Sequence, residues 1–273
     1  MTYSDNDDAK FYVDWNTTDK FRELYDSVTF SYFGDVKGKK IVDFGCGGLT
    51  LLKKAVEKGA AFAFGLDANE EILKAGFESQ KIHDAPETSL KYEICDCFTP
   101  FPHHEFGHFD FASCHFVLHC CSDEAKMKII FQNVYQILKP GGKVCICQSG
   151  VAYSIQEQQL IADTFGGLAP LKDDYGDQEP IFADVPIYRL SSAADAQETG
   201  ILYTREPMFV FKDYFWSDKT LIKNLLEAGF INVQVLREEV LPFINVLAPA
   251  QIKTFKCVKE PLLIIGALKP EIV

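Results

Sequence analysis

A short glycine turn between an apolar strand and a helix is the feature that most constrains how this chain folds. Residues 41–50 read IVDFGCGGLT, and a second apolar run, FAFGL, ends in Asp67. Glycine lets the backbone approach a ligand closely, and an acid at the end of the following strand can accept hydrogen bonds from two ribose hydroxyls. These two features predict an α/β fold that binds a nucleoside.

The composition of the turn separates two classes of nucleoside ligand. In dinucleotide-binding turns the glycines follow the spacing G-x-G-x-x-G, and the third glycine lets the helix press against the strand. Here Thr50 stands at the third position, and Asp43 lies two residues before the first glycine. A pyrophosphate on a helix N-terminus disfavours a neighbouring negative charge, whereas a ligand with an ammonium and a sulfonium accepts one. A substituted NAD turn and an ordinary strand-to-helix turn remain as alternatives.

Three later segments, by their order along the chain, favour the ligand with an ammonium and a sulfonium over a dinucleotide. Residues 92–98 read as a short strand that ends in an acid, residues 109–119 as an acid-led apolar strand, and residues 138–146 as a helix end, a Pro-Gly-Gly turn and a strand. Together with the glycine turn they resemble the successive motifs of class I S-adenosylmethionine-dependent methyltransferases. They are similar to the small-molecule branch that includes enzymes of ubiquinone and menaquinone biosynthesis.

The resemblance implies the fold of that family, which is an α/β architecture with a doubly wound, mostly parallel seven-stranded sheet. Strand and helix patterns also alternate from residue 40 onward, which by itself predicts right-handed βαβ units and a parallel sheet. A helix is expected over residues 17–33, with Thr17 or Thr18 as its N-cap. The apolar run 262–267 is similar to the terminal antiparallel strand that distinguishes methyltransferases from other doubly wound folds.

We expect one methyltransferase domain that covers the whole chain. Its parts are an N-terminal helical cover (1–35), a cofactor-binding core (36–149), a substrate lid insertion (150–215) and the C-terminal part of the sheet (216–273). The insertion is longer than most loops, and long loops are commonly functional. Short strands around 185–190 and 206–211 would build a lid, and a dimer contact is the alternative use of the same segment.

The resemblance implies S-adenosylmethionine as the cofactor and S-adenosylhomocysteine as the product. Asp67 would accept hydrogen bonds from the ribose, Asp96 from the adenine amine, and Asp43 would lie near the methionine moiety. An N-terminal aromatic, Tyr12 or Tyr25, would cover the cofactor, or else both pack in the core. The other positions that the resemblance places at the cofactor are Gly45, Cys46, Gly47, Ala68, Asn69, Cys97, Phe98 and Cys114.

The acceptor is expected to be a small molecule that is methylated on oxygen, nitrogen or carbon. His115 is the candidate general base, because an unperturbed histidine titrates near neutrality, and a packed histidine is the alternative. His119 would share a face with His115 on a nascent helix. Tyr153, Tyr188 and Tyr203 are candidate acceptor residues, with a lid core as the alternative. A cofactor-binding protein without turnover and an NAD-dependent oxidoreductase remain as other functions.

The composition of the chain limits the partners and the cellular location that we expect. The formal net charge is -12, and a nucleic-acid-binding protein normally presents a basic face, so a nucleic-acid acceptor is disfavoured. The N-terminus has no apolar segment of a signal peptide, and no apolar run reaches the ~18 residues of a spanning helix. These absences predict a soluble cytoplasmic protein without a membrane partner, and a monomer and a homodimer are both open. The nine cysteines lie mostly in apolar strands, which indicates buried thiols, and we predict no metal.

Overall fold

The computed structural model describes residues 9–10, 12–14, 16, 20–79, 89–100, 108–151, 153–165, 181–190, 203–237 and 239–271. Within them the helices are α1 (Lys20–Phe33), α2 (Thr50–Glu57), α3 (Glu70–Ser79), α4 (Glu124–Ile137), α5 (Ile155–Phe165), α6 (Asp218–Glu227) and α7 (Pro249–Cys257). Short 3-10 helices span Leu118–Cys120 and Leu241–Val246. The strands are β1 (Lys40–Phe44), β2 (Phe62–Asp67), β3 (Leu90–Ile94), β4 (Phe109–His115), β5 (Leu138–Val151), β6 (Ile181–Leu190), β7 (Tyr203–Phe215), β8 (Ile231–Val235) and β9 (Glu260–Leu268).

Seven of these strands form one sheet in the order β3-β2-β1-β4-β5-β9-β8. The first five strands in this order pair in parallel, and β9 runs antiparallel to both of its neighbours. The predicted α/β class and the doubly wound, mostly parallel seven-stranded sheet are therefore confirmed. The chain reverses its direction of winding between β1 and β4, and in such sheets ligands bind outside the carboxyl ends of the strands at this reversal.

The sheet is covered on both faces, as the period of two along its strands requires. Ile41 packs in the cluster that contains α1 and α2, while its neighbour Val42 packs in the cluster that contains α4 and α6. Cys145 and Cys147 fall together on the first face, as two residues with a spacing of two should. All nine cysteines are free thiols, and six of them are buried, so the expectation of buried thiols holds for most of them.

The starts of some strands and helices differ from the expected positions. Strand β5 begins at Leu138 rather than near residue 143, because Leu138 already pairs with Phe109 before a register shift. Gly141 absorbs the shift with a φ of 75°, and its N–H donates to the carbonyl of Lys269 (3.0 Å). The predicted N-caps of the first helix, Thr17 and Thr18, lie outside the described residues, and α1 is described from Lys20 onward.

Helices α5 and α7 were not expected, and one of them carries a local signal. Ser154 accepts a hydrogen bond from the backbone N–H of Glu157 (3.1 Å), and the Glu157 carboxylate accepts from the N–H of Tyr153 (2.8 Å). This arrangement is close to a capping box, which a Ser-x-x-Glu spacing predicts. The two strands expected in the insertion lie within β6 and β7, which pair as an antiparallel ribbon. In the described part of the chain, each helix is too short or too polar to cross a membrane.

Candidate active site

The glycine turn lies at the carboxyl end of β1 and depends on backbone conformations that favour glycine. Gly45 has a φ of 69° and Gly47 a φ of 51°. The N–H of Gly45 donates to the carbonyl of Leu66 (2.7 Å), which ties the turn to β2. A Cβ on Gly45 would lie 1.8 Å from Cγ2 of Val117. Glycine is therefore required at this position both by the backbone angle and by the space, and Cys46 between the two glycines is buried.

Asp67 ends β2 and bonds across to the glycine turn. Its Oδ2 accepts from the N–H of Gly47 (2.8 Å), and its Oδ1 accepts from the N–H of Asn69 (2.9 Å). Burial raises the pKa of Asp67, while these backbone hydrogen bonds act to lower it. Asn69 uses its own side chain to accept from the N–H of Ile72 (3.0 Å) and so caps α3. Ala68 between them is exposed.

Asp43 is the most deeply buried of the three strand-end acids, with 2% of its surface exposed. It stands opposite Ser113 in the parallel pair β1–β4, and Ser113 Oγ donates to its Oδ1 at 2.7 Å. Burial raises the pKa of Asp43 to about 7, against the opposing effects of the Ser113 hydrogen bond and the Arg22 charge. A positive charge bound next to this carboxyl would lower its pKa and favour the loss of its proton.

The third acid, Asp96, lies just beyond β3 and is exposed. Its carboxylate accepts from the N–H of Phe98 (3.0 Å). Asn133, a buried residue of α4, supports the segment around Asp96. Its Nδ2 donates to the carbonyls of Cys97 (3.0 Å) and Thr99 (2.8 Å). Asn133 was not expected to contribute, although a lone amide on the apolar face of a helix is a sequence signal for such a role.

His115 ends β4 beneath helix α1. Its Nε2 lies 3.0 Å from Thr29 Oγ1, and its ring meets the Tyr25 ring edge to face, with the ring centroids 5.3 Å apart. Burial lowers the pKa of His115 to about 4, so the imidazole is neutral at physiological pH. Cys114 next to it is also buried, which raises the pKa of its thiol. The role of His115 as a general base stays a prediction.

The two N-terminal aromatic candidates lie in different places. Tyr12 lies against the glycine turn, with Cε1 3.9 Å from the position of a Cβ on Gly47. Tyr25 is buried between His115 and Phe116, whose ring centroid is 5.2 Å from its own. Tyr12 is thus at the turn where a ligand would be covered, whereas Tyr25 packs in the core.

The acceptor candidates lie on several different elements of the fold. His115 and His119 do not share a helix, because β4 continues to His115 and the 3-10 helix starts at Leu118. Burial lowers the pKa of His119 to about 4. Tyr153 is 36% exposed, and Lys259 Nζ lies 4.0 Å from its ring centroid. The remaining two candidates lie on the ribbon strands β6 (Tyr188) and β7 (Tyr203), and their side chains lie outside the described residues.

Comparison with known proteins identifies the central part of the chain. Residues 42–144 match the family model described as a methyltransferase domain. The segment is a methyltransferase domain. The match covers the glycine turn and all three strand-end acids, so the resemblance predicted from the sequence is confirmed.

Two curated relatives and one solved structure extend the comparison of this methyltransferase domain. Phosphoethanolamine N-methyltransferase 2 of Caenorhabditis elegans is 27% identical over 129 residues, which cover 47% of this chain and 28% of the relative. Ubiquinone biosynthesis O-methyltransferase of Neisseria meningitidis is 29% identical over 140 residues, which cover 48% of this chain and 54% of the relative. The chain thus spans about half or less of the relatives it matches.

The solved structure shows that the fold extends beyond the matched segment. It is phosphoethanolamine N-methyltransferase 2 of Haemonchus contortus in complex with phosphomonomethylethanolamine and S-adenosylhomocysteine. The TM-score is 0.56 at 16% identity, with 96% of this chain and 57% of that chain covered. At this identity the likeness establishes the fold alone.

Among the described residues, no three His, Cys, Asp or Glu side chains converge as metal ligands would.

Proposed function

We propose that this chain is an S-adenosylmethionine-dependent methyltransferase that acts on a small-molecule acceptor. The observation that carries the proposal is the order of acids around one glycine turn. Asp43 lies next to the end of β1, Asp67 ends β2 and Asp96 lies just beyond β3, so all three are at a single edge of the sheet, next to the reversal where ligands of such folds bind. The family model spans all three.

The residues at this edge suit the proposed cofactor. The Asp67 carboxylate has two hydrogen bonds to backbone N–H groups, and an ionised carboxylate offers about four acceptor sites, so capacity remains for ribose hydroxyls. The buried carboxyl of Asp43 suits a ligand that carries positive charge. The cofactor supplies an activated methyl group on its sulfonium. The protein then needs chiefly to hold the acceptor in line with it and, where the acceptor requires, to remove a proton.

An NAD-dependent oxidoreductase is the weaker alternative. Thr50, at the position of the third glycine of a dinucleotide turn, is buried at the start of α2. In addition, β9 runs antiparallel between β5 and β8, as the terminal strand of methyltransferases does. A binding protein without turnover would keep the same cofactor residues, so only a turnover assay separates it from an enzyme.

The first acceptors to test are the two classes in the names of the relatives. These are phosphoethanolamine, an amine, and hydroxyl-bearing intermediates of ubiquinone biosynthesis, since the second relative is an O-methyltransferase. The net charge of -12 disfavours a nucleic-acid acceptor. We further propose that the chain is one domain in which residues 1–35 cover the cofactor and residues 150–215 cover the acceptor. The oligomeric state follows from light scattering of the purified protein.

The proposal is tested by titration calorimetry followed by an acceptor screen. The purified protein should bind S-adenosylmethionine and S-adenosylhomocysteine and should not bind NAD. Mass spectrometry should then detect a gain of one methyl group on a member of a small-molecule library. Binding of NAD without binding of either S-adenosyl ligand would contradict the proposal.

Replacement of Asp67 by alanine should weaken the binding of S-adenosylhomocysteine by about 1.5–3 kcal/mol, the usual scale for hydrogen bonds to a charged group. The reason is the loss of the carboxylate that would accept from the ribose. Calorimetry of both proteins measures the difference. Glu71→Ala is the control, because it removes a carboxylate on α3 that faces solvent in part. Unchanged affinity in Asp67→Ala would remove the ribose assignment.

Replacement of His115 by glutamine should lower turnover and leave the affinity for S-adenosylhomocysteine unchanged if His115 is the base. Glutamine keeps a polar group next to Thr29 Oγ1, which lies 3.0 Å from the imidazole, but it cannot take up a proton at neutral pH. Turnover is measured by methyl incorporation once an acceptor is known. Full activity of the variant would show that His115 is a packed histidine.

A further inference from the structure

Two thiols lie two residues apart in the segment that carries Asp96. Cys95 follows the last residue of β3, and Cys97 begins the turn beyond it. Cys97 is 5% exposed, whereas Cys95 is half-buried and can be reached from solvent. Both pack on the apolar cluster that contains α4 and α6, so the two side chains project to one face of the segment. We call Cys95 and Cys97 the β3 thiol pair.

The two thiols of the pair form a hydrogen bond with each other. Cys97 Sγ lies 3.9 Å from the carbonyl oxygen of Cys95, and it is also within hydrogen-bond reach of the Cys95 sulfur. The hydrogen bond from Cys97 lowers the pKa of the Cys95 thiol, whereas the same bond together with burial raises the pKa of Cys97. The more accessible sulfur is therefore also the one that ionises more readily, and the thiolate is the reactive form of cysteine.

The spacing of the β3 thiol pair allows a disulfide without a large movement of the chain. Cα atoms two residues apart are separated by at most about 7 Å, and the Cα atoms of a disulfide are usually about 4.4–6.8 Å apart. The sulfurs must nevertheless approach to about 2 Å, which is closer than two hydrogen-bonded atoms lie. The backbone at Asp96, between the two cysteines, must bend to permit that approach.

The β3 thiol pair is tied to two other parts of the proposed cofactor site. The backbone N–H of Cys95 donates to the carbonyl of Asp67 (2.8 Å). The Cys97 sulfur accepts from the backbone N–H of Gly45 in the glycine turn. A bend at Asp96 therefore moves that carboxylate and pulls on the contacts to Asp67 and to the turn.

We propose that Cys95 and Cys97 are a site of reversible covalent modification, at which a hydroperoxide converts the two thiols into a disulfide that weakens cofactor binding. The Cys95 thiolate attacks the terminal oxygen of the hydroperoxide, the O–O bond breaks, and Cys95 becomes a sulfenic acid. The remaining oxygen takes up a proton and leaves as an alcohol, or as water when the oxidant is hydrogen peroxide. The Cys97 sulfur then attacks the Cys95 sulfur, the S–O bond breaks, and water leaves with the Cys97 proton. In total the pair loses two electrons and two protons, and the hydroperoxide gains them.

This disulfide should be easy to reverse. It closes a loop of only three residues, and a cross-link over a short loop stabilises a protein little. Strained or exposed disulfides have the higher reduction potentials and are the labile ones, so a dithiol reductant should restore both thiols. The thiol chemistry needs no cofactor, whereas its effect on cofactor affinity rests on the proposed function.

Peptide mapping tests the modification in the absence of any cofactor. Chymotryptic cleavage after Tyr92 and Phe98 releases residues 93–98, a peptide whose only cysteines are the β3 thiol pair. After hydrogen peroxide treatment of the wild-type protein, mass spectrometry should find this peptide lighter by two hydrogen atoms and closed to alkylation. Dithiothreitol should restore two alkylated thiols. Cys97→Ser should instead leave Cys95 as a sulfenic acid, which dimedone traps.

Calorimetry with S-adenosylhomocysteine measures the effect on the same samples. Oxidation should weaken binding to the wild type by roughly 10- to 100-fold, the scale for the loss of a hydrogen bond to a charged group, and reduction should restore it. Cys95→Ser changes a side chain outside the proposed cofactor contacts and keeps the N–H that donates to Asp67. It should therefore bind as the reduced wild type does and should not respond to peroxide. Cys257→Ser is the matched control, because it removes an exposed thiol on α7 and should respond as the wild type does.

A peptide 93–98 that keeps both thiols under peroxide would overturn the proposal, and so would a disulfide that joins Cys97 to Cys114, another thiol near it. A disulfide between Cys95 and Cys97 without a loss of affinity would contradict the effect on the cofactor. A loss that persists in Cys95→Ser would assign the effect to another thiol, such as the exposed Cys120. A reduced wild-type protein that binds no S-adenosyl ligand would contradict the proposed function, and the peptide map would still decide the modification.

Discussion

Replacement of Gly76 by alanine should lower the free energy of unfolding by about 1–3 kcal/mol, the usual scale for overpacking a well-packed interior. In most helices the same change would stabilise the protein by about 1 kcal/mol, since alanine is the better helix former. Gly76 differs because α3 approaches the glycine turn here. An added Cβ would lie 2.6 Å from Cα, 2.7 Å from the carbonyl carbon and 2.8 Å from the carbonyl oxygen of Gly48. Backbone atoms cannot rotate away as the tip of a side chain can, so the helix or the turn must move.

Urea denaturation of the two proteins measures this effect, with Glu78→Ala as the control at an exposed position of α3. The control should stay within about 0.5 kcal/mol of the wild type. We also expect Gly76→Ala to bind S-adenosylhomocysteine more weakly, because a displaced turn moves Gly47 away from Asp67, whose carboxylate it now contacts at 2.8 Å. A variant as stable as the wild type would mean that α3 shifts freely against the turn.

The fold was predictable from the sequence because each βαβ unit carries its own pattern. The strands that flank the turn are apolar and end in acids, and the intervening helices have apolar faces, so the parallel sheet followed from local information. The start of β5, in contrast, did not follow from local sequence. Gly141 joins the strand because its N–H reaches the carbonyl of Lys269 (3.0 Å), which is far away in sequence. The boundary of a strand depends on its partner, and the sequence of the strand alone does not contain that partner.

The residues of the candidate site also differ in whether local sequence predicts them. Strand-end acids such as Asp67 were predictable because parallel strands bring their carboxyl ends to one edge. The residues that set the properties of those acids were not. Ser113 donates to Asp43 across 70 positions in sequence, and Asn133 supports Cys97 across 36. The charge of Arg22, which acts to lower the pKa of Asp43, was not predictable either, since a charged residue on an N-terminal helix has no pattern that reveals which strand end it faces.

Replacement of Asp43 by asparagine should raise the free energy of unfolding at pH 8 and weaken cofactor binding at the same time. The carboxyl of Asp43 has a pKa of about 7 in the folded protein, raised by burial from an ordinary value of 3.8. Between these two pH values the folded protein holds a proton that the unfolded chain has lost. The wild type therefore becomes less stable as the pH rises through this window, and above it the cost of the buried charge is fully present.

Asparagine has the same shape but does not ionise, and its amide oxygen can still accept from Ser113 Oγ, now 2.7 Å from the carboxylate. A shift of one pKa unit corresponds to about 1.4 kcal/mol, so the stability gain at pH 8 should reach about 2–4 kcal/mol. At pH 3 or below the gain should nearly vanish, since both states of the wild type are then largely protonated. Urea titrations at several pH values follow the difference, and Glu71→Gln should show no comparable trend.

The same substitution should reduce the affinity for S-adenosylmethionine more than that for methylthioadenosine, because only the former carries the positive groups that a buried carboxylate attracts. The two effects have one cause. A carboxylate that is expensive to ionise in the free protein becomes favourable when a cation binds beside it, so stability is lost where binding is gained. Wild-type binding of S-adenosylmethionine should accordingly release protons near pH 6 and strengthen towards pH 8, which calorimetry in buffers of different ionisation enthalpy measures. A gain in stability without a loss of affinity would place Asp43 outside the binding site.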